Sequence, residues 1–188
     1  MTILKAPPGT LTDGVVELRL PSADAGDIAT VNKYVEDEQL EGGWLPDVPL
    51  VTGEQLVSDW LECWKGNSRR GSTFTFVVNI SEEPRFIGVV GVAERDNGAF
   101  QMTYGTAPGW RGRGVASRAA RLTAEWVARQ PNVRTVQALI DQGQSACERV
   151  AVSAGLVLAD TTTKLDAVAG ETVQLRYVMD RPPPAESA

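Results

Sequence analysis

Pro108-Gly109-Trp110-Arg111-Gly112-Arg113-Gly114-Val115-Ala116 interleaves three glycines with two arginines, and Arg118 and Arg121 follow closely. Glycines at this spacing leave main-chain N–H groups open to close approach, and the arginines add positive charge, so the chemistry on offer is capture of an anion. From Asn97 to Ala124 there is no Asp or Glu, although 24 acids occur among the 188 residues and the formal net charge is -6. An acid-free basic window in an acidic chain marks a place that receives negative charge. The segment lies between a predicted strand, 99–107, and a predicted helix, 113–129. A phosphate group docked on the helix N-terminus is the anion this placement favours.

The chain has no histidine. That removes Ser-His-Asp and Cys-His nucleophile systems, His-ligated metal sites and the usual base at neutral pH. Catalysis must then use carboxylates, hydroxyls, thiols or backbone dipoles, and no metal is expected. Cys63 and Cys147 are too few and too far apart for a disulfide framework, which points to a reduced, cytoplasmic protein. The acidic balance argues against nucleic-acid binding. The longest apolar run, 86–93, is of strand length, so no membrane span is expected.

The length suits one domain, read as 15–180, between a flexible leader over 1–14 and a Pro-rich, disordered tail over 181–188. Strand alternation over 15–20 leads into a helix ending near residue 37, with Ser22 or Asp24 as its cap. Residues 39–53 read as a long loop. Thr52 then opens a second helix in which Leu56, Val57, Trp60, Leu61 and Trp64 share a face. Strands at 73–80, 85–94 and 99–107 form a meander whose second turn carries Asn97-Gly98, the preferred hairpin dipeptide. After the arginine-bearing helix come a strand at 133–140, a helix at 144–154, and strands at 156–161 and 172–179. This order predicts a mixed α/β sheet with one parallel crossover.

Three phosphate-binding patterns compete for the glycine segment. A P-loop needs Lys and a magnesium-binding hydroxyl after its second glycine. Val115-Ala116 stand there instead, so that pattern fails. A dinucleotide fingerprint needs a third Gly or Ala where Ser117 stands, and it opens its fold rather than following a meander. The third pattern, Arg/Gln-x-x-Gly-x-Gly/Ala, is satisfied by Arg111-Gly112-Arg113-Gly114-Val115-Ala116. With it the chain resembles the GNAT superfamily of N-acetyltransferases, whose members hold the pyrophosphate of acetyl-CoA on this turn. Tyr104-Gly105-Thr106-Ala107-Pro108 is similar to the strand beside the pantetheine arm in that family. Ala146 to Leu156 resembles the later helix that ends in an Ala-Gly-Phe-type turn. The likeness is greatest to the branch that acetylates N-termini of ribosomal proteins and related amines.

The resemblance implies a GNAT-like mixed, mostly antiparallel sheet of about six to seven strands flanked by about four helices. It implies direct attack of a primary amine on the thioester of acetyl-CoA, and it leaves a homodimer open. Gly105, Thr106 and Ala107 would lie along the cofactor. Arg111, Gly112, Arg113, Gly114, Val115, Ala116 and Ser117 would cradle its phosphates, with Arg118 adding charge. A backbone N–H near Gly105 or Thr106 would serve the oxyanion. Glu94 would relay the proton of the amine. Gln144 stands where an Asn usually meets the pantetheine arm, and Cys147 where a Ser often sits near the CoA sulfur, so Cys147 could protonate the leaving thiolate. Ala151 stands where other members carry a tyrosine acid. Trp44 would shape the acceptor pocket. The runner-up is a non-catalytic acyl-CoA-binding module that keeps the turn but lacks an acid and a base.

Overall fold

Val115, Ala119, Ala120, Thr123, Ala124, Trp126 and Val127 recur at helical spacing, and all are buried along one face of α2 (Val115–Ala128). Three alanines on that face let the helix axis approach the sheet. Trp126 then fills the space beyond them, edge-on to Phe74 and Phe76 with ring centroids 5.0 and 5.3 Å away. Thr123 hides its hydroxyl by donating to the Ala119 carbonyl at 2.9 Å. The arginines of this helix occupy its other side.

The computed structural model describes residues 4–22, 24–40, 58, 61–63, 65–66, 69, 71, 73–81, 83–96, 98–166 and 170–180. The strands are β1 (Leu11–Thr12), β2 (Val16–Arg19), β3 (Thr73–Ile80), β4 (Glu83–Asp96), β5 (Ala99–Thr106), β6 (Thr135–Asp141), β7 (Val157–Asp166) and β8 (Gly170–Asp180). They form one sheet in the order β1-β2-β3-β4-β5-β6-β8-β7. All neighbours are antiparallel except β5 and β6, which α2 joins as the crossover. The other helices are α1 (Ala25–Leu40) and α3 (Ser145–Ser153); residues 58, 61–63, 65–66 and 69 are also helical, and Leu61 among them is fully buried. Trp60 and Trp64 lie outside the described residues.

Eight strands exceed the six to seven expected, because Leu11–Thr12 pairs with Leu18 and Glu17 of β2. Leu4 is buried as well, and its N–H donates to Gly71. Leu4 and Leu11–Thr12 are therefore tied to the fold, within the segment 1–14 that was expected to be a flexible leader. Gly98 bears out the hairpin turn. Its φ is +85°, and a Cβ there would come within 2.5 Å of the Asn132 carbonyl.

Asp24 caps α1 as expected, accepting from the Asp27 N–H at 2.9 Å. Asp27 is itself buried and takes hydrogen bonds from Arg19, from the Ser22 N–H and from the Ser22 hydroxyl. Burial alone would raise the Asp27 carboxyl, but Arg19 and Ser22 outweigh it and bring the pKa down to about 2. Asp13 behaves alike. Burial pushes it up, while the N–H groups of Val16 and Val15 and the Arg118 guanidinium hold it near about 2. Both values lie below the ordinary 3.8, so each carboxylate stabilises the fold above about pH 4. That stability is lost as the pH falls from about 4 to 2. The melting temperature should drop steeply in that window and lose part of the slope in Asp27→Asn, as thermal scans at stepped pH would read.

Candidate active site

β5 is paired to β4 along its whole length, ending with Thr106 opposite Gly88. Its pairing with β6 ends earlier, at Gln101 opposite Gln137. Beyond that point the two parallel strands part and leave a wedge-shaped cleft. The cleft has a volume of about 610 Å³, floored by Tyr104, Gly105 and Thr106 and walled by the start of α2 and one face of α3. The close fit of β4 at this end depends on Gly88, where a Cβ would strike the Gly105 carbonyl at 2.4 Å.

Strand alternation decides which N–H groups face the opening. The Ala107 N–H donates to the Ile87 carbonyl at 2.8 Å, so Gly105 and Thr103 on the same alternation also direct theirs to β4. The main-chain groups of Tyr104 and Thr106 therefore turn toward the wedge. Of the two N–H groups expected to face a reacting carbonyl, that of Thr106 has the orientation and that of Gly105 does not. The Thr106 carbonyl accepts from Arg111 Nε at 3.1 Å, which ties the glycine segment to the strand.

Gly112 and Gly114 adopt φ of +73° and +77°, a left-handed backbone that side chains rarely enter, and open space lies where a Cβ would stand on either. Gly114 is the N-cap of α2, with no side chain capping the helix. The first bond of this end runs from the Arg118 N–H to the Gly114 carbonyl, so the N–H groups of Val115, Ala116 and Ser117 precede the helical ladder. No acid occupies the first turn, and no carboxylate lines the cleft among the described residues. Three donors at the positive end of a helix, reached through two bare glycines, suit a diphosphate.

Cys147 and Ala146 line the opposite wall, and the Tyr104 hydroxyl crosses the cleft to donate to the Cys147 carbonyl at 2.7 Å. Burial raises the Cys147 thiol, with the carboxylates of Asp141 and Glu148 adding to it, so it keeps its proton at neutral pH. Tyr104 is raised too, mainly by burial. Tyr177 donates to Glu148 at 2.9 Å on the far side of α3.

Several expected site residues fall elsewhere. Glu94 pairs with Phe100 at the hairpin end of β4, and its carboxylate accepts from the Gly98 N–H. β4 runs antiparallel to β5, so the end of β4 is far from the wedge. Six residues of β5, about 20 Å at roughly 3.3 Å each, separate Phe100 from Thr106. The Glu94 assignment is therefore corrected: it supports a turn. Ala107 and Gln144 do not line the cleft; Gln144 is the exposed N-cap of α3. Arg113 does not line it either, and its guanidinium stacks over the Trp110 ring at 4.9 Å. Arg118 and Arg121 both bind Asp13, at 2.7 and 3.3 Å, beside a second hollow lined with Gly114, Ser117 and Ser153. Trp44 lies outside the described residues. Trp110, Arg149, Val150 and Ser153 line the cleft without having been singled out for the site, and Tyr104, expected only as part of the strand beside the pantetheine arm, lines it too. Two periodicities could have found four of them. Tyr104 shares the strand face of Thr106, and residues 149, 150 and 153 share the helix face of 146.

The family model for the acetyltransferase (GNAT) domain matches residues 16–157. The chain belongs to the GNAT family. As a GNAT domain it is an acetyl-CoA-dependent acetyltransferase. No curated protein matches it by sequence. Among solved structures it is similar to the ribosomal-protein-S5-alanine acetyltransferase of Vibrio fischeri, at 18% identity and a TM-score of 0.78, covering 93% of this chain and 97% of that one. RimJ of Mycobacterium smegmatis, in complex with CoA-disulfide, aligns at 14% identity and a TM-score of 0.76, covering 92% of this chain and 84% of that one. The microcin C7 self-immunity acetyltransferase MccE, in complex with acetyl-CoA and AMP, aligns at 12% and 0.77, covering 90% and 98%. At these identities the likeness is one of fold.

Among the described residues of this GNAT domain, no group of His, Cys, Asp and Glu could hold a metal ion. Among them also, no helix is long and apolar enough to cross a membrane.

Proposed function

We propose that this GNAT domain acetylates a weakly basic primary amine, an N-terminal α-amine or a small-molecule amine, by direct attack in a ternary complex. The observation that carries the reading is the wedge between β5 and β6, which leads from the uncapped start of α2 to the Cys147 thiol. Acetyl-CoA supplies the activated acetyl thioester. The amides of Val115, Ala116 and Ser117 would hold its diphosphate, and Gly112 and Gly114 would let the chain close on it. The Thr106 N–H, turned toward the wedge, would serve as donor to the developing oxyanion. Cys147, kept protonated by its surroundings, would hand a proton to the departing thiolate.

The class of amine follows from what the cleft lacks. No carboxylate lines it among the described residues, so deprotonation must be easy. An α-amine with pKa near 7.8 needs about 1 kcal/mol to lose its proton at pH 7, whereas a lysine near 10.4 needs about 4.6. Release of CoA thiol, measured over a panel of N-terminal peptides, small amines and lysine side-chain peptides, should favour the first two groups. Cys147→Ala should lower kcat by roughly 10- to 100-fold, with coenzyme affinity little changed. The same missing carboxylate favours the second reading, an acyl-CoA-binding module. Tight acetyl-CoA binding with no turnover on any amine of the panel would support that module against the enzyme.

A further inference from the structure

Two tyrosine hydroxyls tie the first turn of α3 to the sheet, on two consecutive residues. Tyr177 donates to the Glu148 carboxylate at 2.9 Å, and Tyr104 to the Cys147 carbonyl at 2.7 Å. The two links differ in what they join. Tyr177 sits on β8, opposite Ala138 of β6, so its bond stays on the α3 side of the wedge. Tyr104 sits on β5 beyond Gln101, where β5 and β6 last pair. Its bond spans the gap, and among the described residues no other hydrogen bond joins β5 to α3.

Neither packing nor helix formation requires that bond. Phe100 and Met102, on the same strand alternation, fill the core without a hydroxyl, and a phenylalanine would fit the Tyr104 position equally. The Cys147 carbonyl meets the Ala151 N–H one turn along the helix in any case. What the hydroxyl adds is a fixed span across the cleft, ending on the main chain of Cys147 in the opposite wall.

We propose that Tyr104 is a positioning residue for Cys147. Its hydroxyl acts as a strut between the walls. β5 is held by its full pairing with β4, and the strut passes that rigidity to the first turn of α3 and so to the thiol. A group that hands over a proton must stand within hydrogen-bond reach of the departing sulfur, and a misplacement of about 1 Å can cost about 100-fold in rate. The inference rests on the proton-donor reading of Cys147 above.

Tyr104→Phe keeps the ring and removes the strut. In the ligand-free variant, iodoacetamide should alkylate Cys147 roughly 2- to 10-fold faster than in the parent, the range set by one lost hydrogen bond. The exposed Cys63 of the same molecules should react at the parental rate, and peptide mass mapping reads both sites. With the fastest amine of the panel above, kcat should fall by a similar factor, while CoA affinity by calorimetry stays within about twofold. In a Cys147→Ala background Tyr104→Phe should lower kcat no further, because the residue it positions is gone. Tyr104→Met also lacks the hydroxyl and gives the same comparisons should the phenylalanine variant not fold. Equal alkylation of Cys147 in parent and variant would overturn the proposal. So would an equal loss of kcat with and without the thiol, which would mean that the hydroxyl acts elsewhere. A Cys147→Ala enzyme as fast as the parent would be a different failure: it would strike the proton-donor reading itself, and this positioning role with it.

Discussion

Gly114→Glu is expected to reduce acetyl-CoA affinity by more than 100-fold while the domain stays folded. Two costs combine. The position has φ of +77°, and an L-residue in that left-handed region costs about 1–2 kcal/mol. The larger cost is electrostatic. A carboxylate about 5 Å from a phosphate charge opposes it by about 3 kcal/mol at an effective dielectric of about 20, and a diphosphate carries more than one such charge. Each 1.4 kcal/mol is about tenfold in affinity, so the electrostatic cost alone reaches two orders of magnitude, while the backbone cost falls mainly on the ligand-free fold, whose φ is already +77°. Gly114→Ala carries the backbone cost alone and should lose far less. Gly109→Ala, at a glycine with an ordinary φ and open space around it, should bind as the parent does. Calorimetric titration with acetyl-CoA, beside circular dichroism of each variant, separates these outcomes. Near-parental affinity in Gly114→Glu would remove the phosphate site from the start of α2.

Trp126→Ala should destabilise the domain by about 3–5 kcal/mol, the range for deleting a large buried aromatic. Its ring meets Phe74 and Phe76 edge-on and joins α2 to β3 in the centre of the core. The alanines that flank it on the helix have no reach to refill the space, so the cavity should persist. For a domain of this size the loss corresponds to roughly 6–20 °C in melting temperature. Trp126→Phe, which keeps an aromatic edge for both rings, should lose less than half as much. A melting temperature within about 2 °C of the parent for Trp126→Ala would contradict this packing.

The elements that form the phosphate turn were legible because their signals are local. Helical spacing of apolar residues located α2, and the Asn97-Gly98 dipeptide located the hairpin before it. The Arg111 to Ala116 spacing then placed the turn between β5 and α2. What sequence could not supply was register between strands. Glu94 looks well placed from its neighbours in the chain, since it ends the strand next to β5. An antiparallel partner reverses the ends, however, and the wedge opens at Gly88 instead. The choice between the N–H groups of Gly105 and Thr106 depends on the same pairing.

The charges on α2 depend on distant pairing in the same way. Arg118 and Arg121 belong to an acid-free window of sequence, but Asp13 reaches them from more than a hundred residues away. A two-residue strand such as Leu11–Thr12 has no period to detect, so the segment that delivers Asp13 read as loose. Arg113 shows a third limit. Its charge stacks on Trp110, a neighbour three residues back, in a geometry that depends on the 3-10 turn at Pro108–Trp110.

A crystal structure with CoA bound would decide whether the start of α2 holds the coenzyme. The diphosphate is expected within hydrogen-bond distance of the amides of Val115, Ala116 and Ser117, and the pantetheine arm inside the wedge beyond Gln101 with its sulfur beside Cys147. Coenzyme density outside the wedge, or phosphates held by side chains with those three amides facing solvent, would contradict it.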